Sequence, residues 1–537
     1  MREIRSSISG IHSVKKWISN SPIILKLGLF AIMVIAVYTL YLFACHDSRW
    51  TLVLGIVSIA IVLWVLYAIF KARNTSFKHK TAEHVPFALA FALIGILYIG
   101  VFTPGNVPDG MYHFNSTYKY SNLILGQPVG DDFIYMRGDD IALQNEVMAN
   151  RLSRESYANV VSHASVFVQD AEYSSFSVPS SYPLNANVPQ QRVPAAMGIV
   201  LAKLLGLGAV PLYYLGELFN LIYVGTLITL AISITPVGKN IFQTIALLPM
   251  SMHLFASYSY DAASIAFSFL FLALLFRSVY EAKCMDRKSM TQLGVVAFLL
   301  GPCKAVYVVL TFGVLLIPSS KFSSKKIAYF FKMLIIALPL VGVLLLRLPS
   351  YLAPAVTEAA GPLLDQRGDQ FGTFYTVGDL IKNPTMAVLL ILRTLEYFGG
   401  QWLTEMVGGS LGWFQQEIAA PPYLVYLLFF VVLLSCIRSQ DDDFAPSTIH
   451  KVLFFLAGGV ISLGIIVALA TSWTFNTEYY IFGVQGRYFI PVLPLMCLCL
   501  RSMKLSFSCG TRDVLLLASL VLNLLYLARI FAIGITL

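Results

Sequence analysis

Long apolar runs alternate with short polar connections along most of this chain. A run of about 20 apolar residues crosses the hydrocarbon core of a bilayer as a helix. Candidate spans are found at 23–45, 50–70, 86–103, 212–234, 239–257, 260–279, 326–347, 420–437, 451–471, 488–501 and 513–533. The run 290–318 is too long for one helix and is broken at Gly301-Pro302-Cys303-Lys304, so it predicts two short spans. The pattern predicts an all-α polytopic membrane protein with about thirteen transmembrane helices, forming a single integral membrane domain over 1–537.

Two segments depart from this pattern. The apolar segment 193–207 is short for a span, and the stretch 384–415, including 384–402, is too polar and too rich in glycine for an ordinary one. Both predict helices that lie on the outer face or re-enter the membrane, and the sequence leaves open whether either one crosses it. We therefore expect a large external loop with juxtamembrane helices, 104–210, and a second external or re-entrant segment, 348–419.

The composition excludes a soluble enzyme. Hydrophobic residues make up 57% of the chain and charged residues 12%, against about 45–50% and about 25% in soluble domains. The net charge of +9 fits basic cytoplasmic loops and does not require nucleic acid as a partner. None of the seven cysteines lies in 104–190, so no disulfide framework is expected there.

The distribution of basic residues predicts the orientation of the chain in a plasma membrane. Lys and Arg are concentrated before the first span and in several later connections, whereas 104–190 carries more acidic than basic side chains. The predicted cytoplasmic segments are 1–22, 71–84, 280–289 and 438–450. The predicted external segments are 104–190, 193–207 and 472–487. This multi-pass arrangement places the N-terminus in the cytoplasm and the C-terminus outside.

Ionisable residues next to the predicted outer face are the candidates for chemistry. Asp109 and His113 lie four positions apart where the chain leaves the third span, which would place both on one face of a helix. Asp261, Lys304 and Arg487 lie at predicted span ends on the same face. Each residue also has a simpler explanation. Asp109 and Asp261 would each cap a helix, Lys304 would cap carbonyl groups, and Arg487 would extend to lipid headgroups.

Several short motifs occur in a characteristic order. They are Pro108-Asp109-Gly110-Met111-Tyr112-His113, Tyr182-Pro183 with Val188-Pro189-Gln190, Leu247-Leu248-Pro249-Met250 with Ser257 to Asp261, Gly301-Pro302-Cys303-Lys304, Gly412-Trp413, and Gln485-Gly486-Arg487-Tyr488-Phe489-Ile490-Pro491. From about 86 to about 503 the chain resembles the DUF2142 family of bacterial membrane proteins. The resemblance implies a GT-C-like fold and a glycosyltransferase that takes a sugar from a polyprenyl-phosphate carrier on the outer face.

The resemblance also implies roles for individual residues. A carboxylate in the first external loop serves as catalytic base in the GT-C superfamily, and basic residues hold the carrier phosphate. The candidate catalytic residues are Asp109, His113 and Asp261. The candidate substrate-binding residues are Arg487, Lys304, Tyr488 and Gln485. Arg suits phosphate by its bidentate geometry, Lys adds a point charge, and an aromatic ring can stack on a sugar face.

The chain departs from the family pattern at two positions. The family segment commonly reads Pro-Asp-Glu, and here Gly110 replaces the Glu. This leaves one carboxylate in the segment and weakens the case for metal binding. A divalent metal stays open but is not supported by the sequence, and no cofactor is assigned. Glu217 stands where a basic residue is expected.

The predicted function is transfer of a sugar from a polyprenyl-phosphate-linked donor to a cell-envelope glycan or lipid-linked acceptor. Two alternatives remain open: a transporter or flippase of a lipid-linked saccharide, and a non-catalytic partner in envelope assembly. A transporter places ionisable groups near the bilayer midplane and often contains inverted repeats. The sequence contains no such repeat, and its candidate charges gather at one face.

Overall fold

The computed structural model describes residues 23–75, 83–130, 133–177, 188–352 and 373–537, which are mainly helical. The N-terminal half contains α1 (Ile23–His46), α2 (Arg49–Thr75), α3 (Val85–Val101), α4 (Gly110–Ile124), β1 (Phe133–Arg137), α5 (Gly138–Leu143), α6 (Arg154–Ser162), β2 (Tyr173–Ser177), α7 (Pro189–Leu204), α8 (Ala209–Ile234), α9 (Lys239–Ala246), α10 (Pro249–Phe255) and α11 (Tyr260–Phe276). The C-terminal half contains α12 (Arg287–Cys303), α13 (Lys325–Leu352), α14 (Val377–Lys382), α15 (Pro384–Val407), α16 (Pro422–Ser435), α17 (Thr448–Trp473), α18 (Leu493–Leu500) and α19 (Arg512–Gly534). Two 3₁₀ helices, Ala305–Leu316 and Gly486–Val492, precede α13 and α18.

Within the described residues, seven helices are long and apolar enough to cross a membrane. They are Ile23–His46, Arg49–Arg73, Ala209–Ile234, Tyr260–Glu281, Lys325–Leu346, Thr448–Trp473 and Arg512–Gly534. Shorter apolar helices occupy four more predicted spans, at Val85–Val101, Ala305–Leu316, Pro422–Ser435 and Gly486–Leu500. The protein is therefore a multi-pass membrane protein, and the number thirteen stays a prediction.

The predicted span 239–257 is wrong as a single helix. It forms α9 and α10, which are separated at Leu247-Leu248. Pro249 begins α10 and has no N–H to continue the helix before it. The Ile245 carbonyl, which loses its helical donor at Pro249, accepts a hydrogen bond of 2.8 Å from Ser251 Oγ. Leu247 O, at the end of α9, accepts one of 2.7 Å from Asn523 Nδ2 of α19.

Helix α11 lies at the centre of the membrane part. Its residues from Asp261 to Phe276 are buried inside the protein, as expected for a helix that is apolar on nearly all sides. It packs against α7, α8, α12 and the 3₁₀ helix Gly486–Val492. These neighbours enclose the N-terminal end of α11, where Asp261 is located.

The segment 104–190 contains a two-stranded antiparallel sheet, which the all-α prediction missed. Strands β1 and β2 pair from Phe133 with Ser177 to Arg137 with Tyr173. A buried ion pair between Arg137 Nε and Asp140 Oδ2, at 2.7 Å, fixes the end of β1 against α5. This part of the chain shares a hydrophobic cluster with α7 and α8, so it is attached to the membrane helices by packing.

Contacts between connections divide the molecule into the two ends that the sequence predicts. Three contacts join predicted cytoplasmic connections: Arg73 with Asp513, Arg512 with Glu83, and Met285 N with Lys321 O. Three contacts join predicted external connections: Trp413 with Gly105, Gln190 with Leu299, and His46 with Thr536. The C-terminus lies on the end that carries Asp109, because Phe531 of α19 contacts the ring of Tyr157, whose hydroxyl donates to Val101 O at the end of α3. Which end faces outward stays a prediction.

Two native cysteines test this orientation. Cys45 ends α1 on the predicted outer side, Cys284 lies in the predicted cytoplasmic segment 280–289, and both are exposed. In variants that keep one of these thiols and no other cysteine, we expect a membrane-impermeant maleimide to label Cys45 on intact cells. Cys284 should react only after permeabilisation. The reverse pattern would invert the orientation, and labelling of both from outside would contradict the two-sided arrangement.

Candidate functional site

A tight turn at the end of α3 positions Asp109. Gly105 N donates to Tyr213 Oη of α8 at 2.8 Å, and Trp413 Nε1 donates to Gly105 O at 2.9 Å. Asp109 itself has the left-handed backbone conformation, with φ of 59°, which is uncommon for a residue with a side chain. Its side chain makes no cap to α4. The turn is therefore clamped from two sides, and the Asp109 carboxylate is left for tertiary contacts.

Four charged side chains from separate parts of the chain meet at this end of the helices. Arg487 Nη2 lies 2.9 Å from Asp109 Oδ2, and Arg487 Nε lies 2.9 Å from Asp261 Oδ2. Lys304 Nζ lies 3.2 Å from the other oxygen of Asp261. We call Asp109, Asp261, Lys304 and Arg487 the charged cluster. The sequence predicts their position at one face, and the structure places them in direct contact.

The members of the charged cluster differ in their access to solvent. The side chains of Arg487 and Asp261 are 1% and 4% exposed, whereas that of Asp109 is 47% exposed. Arg487 Nη1 is buried and makes no hydrogen bond to any described residue. Two carboxylates balance two cations, so the cluster carries no net charge. Asp109 is the carboxylate that a ligand can reach.

The simpler explanations for three of these residues do not hold. Ser259, and not Asp261, caps α11, since its hydroxyl accepts from Asp261 N at 3.3 Å. Lys304 ends α12, but its ammonium donates to the Asp261 carboxylate. Arg487 is buried and does not extend to headgroups.

Tyr488 and Gln485 flank Arg487. The Tyr488 ring centroid lies 3.5 Å from Lys304 Nζ, and its hydroxyl accepts from Arg487 Nη2 at 3.4 Å. Tyr488 therefore contacts both cations of the charged cluster. Gln485 precedes the 3₁₀ helix, and its Oε1 is buried without a hydrogen-bond partner in the described part of the chain.

His113 and Asp109 are joined by a hydrogen bond of 3.0 Å from His113 N to Asp109 O, but they do not share a helix face as expected. Asp109 precedes α4, so only His113 is helical. His113 is fully buried, and its Nδ1 lies 2.9 Å from Arg192 Nη2 of α7. Its ring meets that of Tyr260 edge-on, with centroids 4.8 Å apart. Tyr260 therefore lies between His113 and the neighbouring Asp261.

Sequence reasoning missed two residues of this region. Arg192 is fully buried and contacts His113. Its charge just before the apolar segment 193–207 was the available signal. Glu405, near the end of α15, accepts a hydrogen bond of 3.0 Å from Gly486 N, next to Arg487. The sequence around Glu405 is polar and does not indicate that this carboxylate contacts Gly486.

Other sequence features have different outcomes. Tyr182-Pro183 and part of 348–419 lie outside the described residues. Glu217 is buried in α8, one turn from the Tyr213 that holds Gly105. No three His, Cys, Asp or Glu side chains in the described ranges gather closely enough to hold a metal ion.

Gly110 packs where a side chain has no room. A Cβ at this position would lie 2.3 Å from Gly105 O and 2.8 Å from Gly105 C. The obstacle is backbone of the clamped turn, which cannot yield as a flexible side chain would. The Glu that the resemblance predicts at this position would therefore have no room beside Gly105.

Substitution of Gly110 should destabilise the protein. We expect Gly110→Ala to cost about 1–3 kcal/mol by overpacking and to lower the thermal unfolding temperature of the purified protein. Gly100→Ala is the matched control, because nothing lies within 4 Å of a Cβ at Gly100 in α3. Equal unfolding temperatures for the two variants would contradict the close contact at Gly105.

The comparisons with known proteins agree with the sequence motifs. The model of a family described as "Predicted membrane protein (DUF2142)" matches residues 91–496. Since the match covers most of the chain, the protein belongs to the DUF2142 family. No curated protein matches the chain.

Proposed function

We propose that this DUF2142 protein is a GT-C type glycosyltransferase. It would transfer a sugar from a polyprenyl-phosphate carrier to a cell-envelope glycan or lipid-linked acceptor on the outer face of the plasma membrane. The observation that carries the proposal is the charged cluster, in which an accessible carboxylate, Asp109, contacts a buried guanidinium, Arg487, at 2.9 Å. Base and phosphate ligand are then neighbours, as glycosyl transfer from a phosphodiester requires.

The reaction assigns a role to each charge. The acceptor oxygen forms a bond to the anomeric carbon of the sugar, and the bond from that carbon to the carrier phosphate breaks. The acceptor proton passes to Asp109. The leaving polyprenyl phosphate gains negative charge, which Arg487 and Lys304 stabilise. Asp261 contacts both cations and is almost completely buried, so it suits the role of holding them in place.

Binding of the donor phosphate to Arg487 would break the contact between Arg487 and the proposed base, Asp109. Arg487 Nη2 contacts Asp109, and Nη1 has no hydrogen-bond partner within the described residues. A bound phosphate oxygen would satisfy Nη1 and compete with Asp109 for Nη2. Donor binding would then free the Asp109 carboxylate for the acceptor hydroxyl. Tyr488 and Gln485, beside Arg487, would contact the sugar.

The proposal is tested with purified protein in nanodiscs. A panel of polyprenyl-phosphate sugars is supplied with and without cell-envelope glycan, and released polyprenyl phosphate is measured. Release that depends on the acceptor supports transfer. Movement of an intact lipid-linked saccharide between leaflets of proteoliposomes, without bond cleavage, would instead identify a flippase. Donor binding without either activity would indicate a non-catalytic assembly partner.

A further inference from the structure

Arg192 holds His113 from two directions. Arg192 and His113 are each 0% exposed. Besides its contact with His113 Nδ1, the guanidinium donates through Nη1 to His113 O at 3.2 Å and to Tyr258 O at 2.8 Å. The two carbonyl contacts fix the plane of the guanidinium, and Nη2 is thereby aimed at the ring. The position of this cation relative to the imidazole is set by the fold.

This contact determines which imidazole nitrogen carries the proton. A guanidinium has five N–H donors and no acceptor, so His113 Nδ1 must be the acceptor. A neutral imidazole that accepts at Nδ1 carries its hydrogen on Nε2. His113 Nε2 is buried and has no hydrogen-bond partner among the residues that the structure describes. An N–H group in that state is costly unless a ligand supplies an acceptor.

The surroundings of His113 keep the ring neutral. Burial, followed by the positive charges of Arg192, Arg487 and Lys304, lowers the pKa of His113 well below its usual value. The ring contacts are with Tyr112 and Tyr260. Two of the cations that act on the ring, Arg487 and Lys304, belong to the charged cluster. The Tyr260 ring connects His113 to the proposed phosphate site, because its centroid lies 4.8 Å from that of His113 and 5.7 Å from Lys304 Nζ. A neutral ring in this position is ill suited to accept a proton.

We propose that Arg192 is a positioning residue that fixes His113 as a neutral Nε2–H hydrogen-bond donor to an oxygen atom of the substrate. The oxygen belongs to the carrier phosphate or to a sugar hydroxyl, both of which accept such a bond. This role rests on the proposed function for its ligand, but the tautomer itself does not. It assigns the candidate catalytic residue His113 to binding and orientation of the substrate and not to proton transfer.

The tautomer is measured directly. The full-length protein is labelled with ¹⁵N-histidine in lipid nanodiscs, and the His113 signals are assigned by their loss in His113→Gln. We expect an unprotonated Nδ1 and a protonated Nε2 that do not change between pH 8 and pH 5.5. A ring that carries its proton on Nδ1, or becomes charged in this range, would overturn the proposal whether or not the protein is a glycosyltransferase. Arg192→Met should permit the other tautomer, and Arg192→Lys should retain the original one.

Two ligands identify the accepting oxygen. Farnesyl phosphate, which has no sugar, should shift the Nε2 resonance if the acceptor is a phosphate oxygen. A shift that requires the sugar-linked carrier assigns the contact to the sugar. Absence of a shift with either saturating ligand would exclude the donor role.

Two isosteric substitutions separate a donor from a base. The amide nitrogen of Gln reaches the position of Nε2, whereas that of Asn reaches the position of Nδ1. We expect His113→Gln to keep transfer within about tenfold of wild type, and His113→Asn to lose at least a further tenfold, mainly through KM. Equal loss in both variants would contradict the donor role. If neither the wild type nor any variant transfers sugar, the proposed function is wrong. The ¹⁵N resonances still determine which tautomer His113 adopts.

Discussion

Asp109→Asn should lower sugar transfer by at least about 10²-fold while carrier binding persists. The substitution keeps the size of the side chain and removes its basicity. Asp109 is the accessible carboxylate of the charged cluster and lies 2.9 Å from Arg487. Because the carboxylate competes with phosphate for this guanidinium, we expect affinity for polyprenyl phosphate to be equal to that of wild type or higher. Turnover and equilibrium binding are measured on the same purified variant.

Glu155→Gln is the control for this experiment. Glu155 is an exposed carboxylate in the first turn of α6, on the same side of the molecule and away from the charged cluster. Its loss should leave transfer unchanged. Near-normal turnover by Asp109→Asn would exclude Asp109 as the base. Asp261 would then be the remaining carboxylate of the charged cluster.

The membrane class and the two-sided arrangement follow from local sequence. A helix in a bilayer has to be apolar over its whole length, so α1, α17 and α19 are recognisable without knowledge of their neighbours. The connections rich in Lys and Arg can be assigned to one side of the membrane for a similar reason, since their own composition indicates that side. The break between α12 and the following 3₁₀ helix is also local, since Gly301 and Pro302 mark it.

Features that depend on distant partners could not be predicted. Strand β1 pairs with β2 across a long connection, and the residue pattern of β1 does not indicate which segment it pairs with. Arg192 is recognisable as a charge, but its contact with His113 arises only when α7 packs against α4. The residues of the charged cluster could be placed at one face by topology. Their pairing, in which Arg487 contacts both carboxylates, required the positions of three helix ends.

Arg487→Ala should weaken affinity for polyprenyl phosphate by roughly 10–100-fold, the loss expected for a charge-assisted hydrogen bond. Arg487→Lys should recover only part of it, since an ammonium restores the charge but lacks the planar fork. Affinity is measured on folded, monodisperse protein with the carrier in nanodiscs.

Loss of a buried cation also threatens the fold, because the buried Asp261 carboxylate then keeps only Lys304 as its cation within the charged cluster. The double variant Arg487→Met with Asp261→Asn removes that carboxylate and should bind carrier as weakly as Arg487→Ala. Arg501→Ala is the matched control at the opposite end, where Arg501 is equally buried and lies 3.0 Å from Asp442. It should destabilise the protein without changing carrier affinity in the folded fraction. If the Arg487 variants bind the carrier with wild-type affinity, Arg487 is excluded as the phosphate ligand, even if Asp109 proves to be the base.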